Sequence, residues 1–159
     1  MDQKTETTGD ERGETEAERE DRKFNDLLQE LRVIQTSAQL TAGFLLTLPF
    51  QQRFSELSTG QHRFYLTLVV LAAVVMGVVL SPVAIHRELS GQKVKDRVVT
   101  ATHVLTRVAL ILLGLLATAT VVFVFDVVVE LEAAVTVGAA LFVVMGGLLV
   151  VLPRVLARD

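Results

Sequence analysis

Four stretches of the chain, 33–50, 64–85, 108–125 and 133–152, run for 18 to 22 residues without a charged side chain. A helix of about 18 residues is about 27 Å long, close to the ~30 Å hydrocarbon thickness of a bilayer. Lipid offers the backbone no hydrogen-bond partner, so only helices and closed barrels cross it. A barrel needs alternating strands of about ten residues, and no such alternation is visible. The pattern predicts an all-α integral membrane four-helix bundle with spans at about 33–50, 64–85, 105–126 and 133–152. The third span is bounded by Arg107 and Asp126, the second ends near Ser81-Pro82 and the fourth stops at Pro153.

Charge is segregated to match. Of 33 Lys, Arg, Asp and Glu residues, 17 lie in the first 32 positions. Residues 1–17 hold no aromatic or branched aliphatic side chain and have nothing to bury, so an acidic disordered tail is expected there. From Glu18 the pattern changes. Phe24, Leu27, Leu28 and Leu31 recur at helical spacing among charged residues, predicting an amphipathic interfacial helix over 18–32 that runs on into the first span, or packs on another chain. The N-terminal residues contain no apolar core of a cleavable signal, so the first span is expected to act as its own insertion signal.

Composition narrows the function classes. The chain has no cysteine, which excludes disulfides, thiolate metal sites and cysteine nucleophiles. A net charge of -3 argues against a nucleic-acid partner. No phosphate-binding glycine loop, nucleophile elbow or metalloprotease pair occurs. No catalytic residue, cofactor or metal is expected, and the chain does not read as an enzyme.

Thirteen of the fifteen Lys and Arg residues fall in the N-terminal segment, in the connection 86–107 or in the C-terminal tail 153–159, and only Arg53 and Arg63 follow the first span. The positive-inside rule places these segments, and with them both termini, in the cytoplasm.

The first span is the most polar. Arg32, Gln35, Thr36, Gln39, Gly43 and Thr47 recur at spacings of three and four and form one stripe, expected to face the bundle interior or a wet cavity because lipid cannot satisfy it. Two uses fit: hydrogen-bonded joining of helices, or a substrate or ion path. No carboxylate lies near mid-bilayer, which counts against proton-coupled exchange within one protomer. At the inner boundary Glu30, Arg32, His86, Arg87, His103 and Arg107 are expected at similar depth. They read as interfacial anchors for lipid headgroups, with a pH-sensing histidine pair and a metal site as alternatives. Ala73, Gly77 and Ser81, Gly114 and Thr118, and Ala134 and Gly138 are spaced by four, the spacing at which small residues let helices approach.

The run Glu30 to Val33, then Gln35-Thr36, Gln39, the segment Phe44 to Phe50 and Arg53-Phe54, resembles a family of small, uncharacterised bacterial four-span integral membrane proteins. Ser81 to Ala84 with His86-Arg87 resembles that family's second landmark, although Ser37 stands where a glycine is expected. The resemblance covers about Glu20 to Leu152 and implies a multi-pass protein of the bacterial plasma membrane. Members are sometimes labelled sodium/proton antiporters. Two functions therefore stand: a non-catalytic oligomer or accessory subunit joined through the first span, to itself or to another membrane protein, and a small cation or proton-coupled transporter or channel with a monovalent cation as its ligand.

Overall fold

A computed structural model describes residues 16–89 and 95–158, and among these residues every regular element is helical. Helix α1 spans Glu16–Thr47, α2 Thr59–Leu89, α3 Lys95–Val128 and α4 Leu131–Gly146; a π-helical turn, Gly147–Val151, leads into α5, Leu152–Leu156. Residues 1–15 of the expected tail lie outside the described residues, and its last two, Glu16 and Ala17, begin α1. The lead-in segment and the first polar span form one continuous helix. The side chain of Phe24 lies outside those described, whereas Leu27 and Leu31 are buried and continue a line through Ile34, Ala38 and Leu45.

That line alternates spacings of four and three residues. The same alternation runs along α2 through Tyr65, Leu68, Ala72, Val75, Val79 and Pro82, and along α3 through Thr102, Thr106, Ala109, Leu116 and Phe123. It is the period at which near-parallel helices interlock in left-handed bundles. The three faces meet in one apolar core. Helix α3 is central, touching α1, α2 and α4, while α4 rests on α3 alone among the described residues. Two glycines set that approach. A Cβ on Gly138 would stand 2.5 Å from Val122 Cγ2, and one on Gly114 would stand 2.7 Å from Leu149 Cδ1. The third expected small-residue stripe does not pack within the protomer: Ala73 and Gly77 are exposed, and a Cβ on Gly77 would meet nothing within 4 Å.

Proline does not end either helix where the sequence suggests. Pro82 is buried inside α2, which continues to Leu89. Pro153 is preceded by the π turn, in which the Leu152 N–H reaches back to the Gly147 carbonyl. The wider turn accommodates a ring that would clash with the carbonyl four residues earlier and that has no N–H to give it.

Three helical segments are long and apolar enough to cross a membrane: Thr59–Ile85, Thr102–Val128 and Leu131–Leu156. The first expected span, about 33–50, falls outside this set by length and composition. Two glutamines and several hydroxyls over 33–50 hold its apolarity below what crossing on composition alone requires.

The turn between α1 and α2 ties three helices together. Ser58 and Gln61 form a capping box at the start of α2, the Ser58 N–H donating to Gln61 Oε1 at 2.9 Å and the Gln61 N–H to Ser58 Oγ at 3.2 Å. This satisfies donors that the first helical turn would leave orphaned. Gln61 Nε2 donates across to the Asp126 carbonyl at 3.3 Å, and Tyr65 Oη to the Leu45 carbonyl at 3.1 Å. Phe54 meets His62 and Tyr65 edge-on at centroid distances of 4.9 and 5.0 Å.

Candidate functional site

The polar stripe of α1 points away from the protomer's core. Arg32, Thr36, Gln39, Gly43 and Thr47 are exposed and Gln35 is half-buried, whereas the apolar line from Leu27 to Leu45 faces α2 and α3. Of the two expected settings, bundle interior or wet cavity, the first is not met within the protomer. The reason is packing: apart from Thr102, Thr106, Thr118 and the Tyr65 hydroxyl, the buried faces of α2 and α3 are apolar, and an amide buried there without a partner costs roughly 1–3 kcal/mol.

The stripe's hydroxyls are already satisfied by their own helix. Thr36 Oγ1 donates to the Arg32 carbonyl at 2.9 Å and Thr47 Oγ1 to the Phe44 carbonyl at 2.7 Å; beside them Ser37 and Thr41 donate to the Val33 and Ser37 carbonyls, each at 3.0 Å. Such back-bonding removes a hydroxyl's need for lipid or a neighbour. The amides have no equivalent. Gln35 and Gln39 make no hydrogen bond among the described residues, and each carries two donors and an acceptor. Gly43, one turn beyond Gln39, has nothing within 4 Å of where a Cβ would stand. The site is therefore a pair of unpartnered amides with one open backbone position, Gly43, a turn beyond Gln39.

The described members of the expected boundary cluster all lie on the surface. Glu30, Arg32, His103 and Arg107 are exposed, and among the described residues no ion pair joins them. The side chains of His86 and Arg87 lie outside those described. His103 and Arg107 do share the outer edge of α3, one turn apart. Among the described residues no group of three or more His, Asp and Glu side chains could hold a metal. The sequence reading also missed Ser58, Gln61 and Tyr65, which fix the far end of α1 against α2 and α3; the Ser-x-x-Gln spacing before an apolar run was the available signal.

Three helices of span length, two of them packed against a first helix that exposes a polar stripe, define a class, a small all-helical protein with the composition of a membrane protein. Within it, the chain belongs to a family of unknown function, DUF6328, which it matches over residues 13–153, the stretch holding α1 through Pro153. No curated protein and no solved structure matches the chain.

Proposed function

We propose that this is a non-catalytic, multi-pass protein of the bacterial plasma membrane that works as a homo-oligomer joined through the outer face of α1. Membrane insertion is supported by the three span-length segments and by the large apolar side chains they turn outward, among them Leu66 at 58%, Val70 at 63%, Phe142 at 64% and Val143 at 72% exposure. An apolar belt of that kind is a liability in water and ordinary against lipid. Helix α1 shares the depth of α2 and α3, because its buried face runs along theirs and its Leu45 carbonyl is held by Tyr65. It therefore crosses with them although its composition alone is marginal.

The observation that carries the assembly is Gln39, exposed near the middle of the polar stripe with its amide unpartnered. A second copy related by a two-fold axis supplies the same amide, which both donates and accepts, so the face is self-complementary. Interhelical bonds of this kind are worth roughly 0.6–2 kcal/mol each, and Gly43 lets the backbones close beside them. Single cysteines in this cysteine-free chain test the proposal. Gln39→Cys is expected to cross-link copy to copy in membranes, and Val70→Cys, on the outer face of α2, is not. Equal cross-linking at both positions, or at neither, would sink the α1 interface.

The second reading, a cation or proton-coupled transporter, rests on the same residues. Since the stripe does not face the protomer's interior, a path would run between copies, with Glu30 and Arg32 at its cytoplasmic mouth. Small polar thiol reagents are expected to label a cysteine at 35 or 39 under this reading and to leave both protected under the first.

A further inference from the structure

Helix α4 leaves a slot along α3 that is apolar at its centre and basic at its end. Two cavities of about 180 and 140 Å³ adjoin, both walled by Ile111, Leu149 and Val150. The larger runs past Gly114 and Thr118 to Phe142, and the smaller opens between Arg107 and Arg154. Its walls ask for no polar ligand: Thr118 Oγ1 already donates to the Gly114 carbonyl at 2.9 Å. Gly146 contributes no side chain, and a Cβ there would meet nothing within 4 Å. At the mouth, Arg154 Nη1 donates to the Val150 carbonyl at 3.2 Å, which draws the guanidinium back toward the slot. Neither arginine is paired with a carboxylate among the described residues.

We propose that this slot holds one acyl chain of an anionic phospholipid whose phosphate lies at Arg107 and Arg154. The inference rests on the reading that the chain spans a membrane. Length and charge commit the site to lipid. From Arg107 to Thr118 is 11 residues along α3, about 16 Å, half the ~30 Å hydrocarbon thickness and so the depth of one leaflet. A helix about 10 Å across does not enter a slot of this volume, whereas a hydrocarbon chain does. Two arginines at the leaflet boundary match a phosphodiester in charge and geometry, and the basic termini place them on the cytoplasmic side, where anionic lipids give the membrane its negative surface.

The chain has no tryptophan, so Phe142→Trp provides a single reporter on the slot's wall. The protein is reconstituted in phosphatidylcholine vesicles with a small fraction of phosphatidylglycerol, and bromine is placed on the acyl chains of one lipid or the other. Brominated phosphatidylglycerol is expected to quench the reporter beyond its mole fraction, with a local enrichment of about tenfold. Arg107→Gln with Arg154→Gln should abolish the enrichment, as should Gly146→Leu, which fills the slot. Arg107→Lys with Arg154→Lys should keep most of it, which separates lost charge from lost fold. Enrichment that survives the paired glutamine variant, or quenching in proportion to mole fraction, would overturn the lipid site. Displacement by inorganic phosphate would reduce it to an anion site with an empty slot, and loss on Gln39→Leu alone would move the lipid to the contact between copies; either result ends the proposal. Absence of quenching by both brominated lipids would instead show that the chain does not insert.

Discussion

The hydroxyl of Thr106 is buried on the core face of α3 with no partner among the described residues, whereas Thr118 and Thr120 return theirs to the Gly114 and Leu116 carbonyls at 2.9 and 2.8 Å. Thr106→Val keeps the shape and removes the unsatisfied group, so the melting temperature in detergent should rise, by a stability gain on the order of 1 kcal/mol. A lower melting temperature would mean that the hydroxyl is satisfied after all. Gln39 makes the opposite case, a polar group with no partner on the surface. Gln39→Leu should leave the protomer's own melting unchanged and weaken the oligomer by about 1 kcal/mol per lost contact, read by size-exclusion with light scattering. Loss of protomer stability instead would place Gln39 in the core. The sequence shows that Arg32, Thr36, Gln39, Gly43 and Thr47 share a face, but helical period is silent on which face turns inward. The opposing line of Leu27, Leu31, Ile34, Ala38 and Leu45 was equally legible. Shape fit against Ala72, Val75 and Val79 decides between the two, and that lies in the partner helices rather than in α1.

For the helices, spacing identifies small residues without showing what meets them. Gly138 and Gly77 look alike in sequence, yet Gly138 is closed over by Val122 and Gly77 is open. Gly138→Ala forces its new methyl against a β-branched side chain that has one preferred rotamer in a helix, so it should destabilise α4 against α3 by about 1–3 kcal/mol. Val122→Ala in the same chain should restore most of the loss. Gly77→Ala adds helix propensity and no clash, and its effect should range from neutral to a gain of up to ~1 kcal/mol. Thermal melts of the three variants check the series, and failure of Val122→Ala to rescue would remove the contact as the cause. Three long helices were legible from their charge-free runs, each long and apolar enough to cross a membrane. Their ends were not. Pro153 reads as a stop, but the π turn ahead of it carries the helix on to Leu156, and a widened turn leaves no mark in composition.

At the scale of the whole molecule, the distribution of Lys and Arg and the packing of α1 bear on the same question from independent directions. Three apolar segments alone would put the two ends of the described chain on opposite sides of the membrane. On the proposed topology the basic residues mark the N-terminal segment, the connection before α3 and the residues after Pro153 as lying on one side, which would require α1 to cross as well. Its buried line along α2 and α3 would supply the means under that proposal, with neighbours covering one face of a marginal helix and a second copy the other. Single cysteines at exposed positions read this out in intact cells with a membrane-impermeant thiol reagent. Ser55→Cys and Glu130→Cys should label from outside, and Arg19→Cys and Ala157→Cys only after the membrane is opened. Were α1 to lie along the surface, Arg19→Cys would label from outside together with Ser55→Cys while Ala157→Cys stayed protected. That outcome would remove α1 from the membrane, and with it the interface between copies built on Gln39.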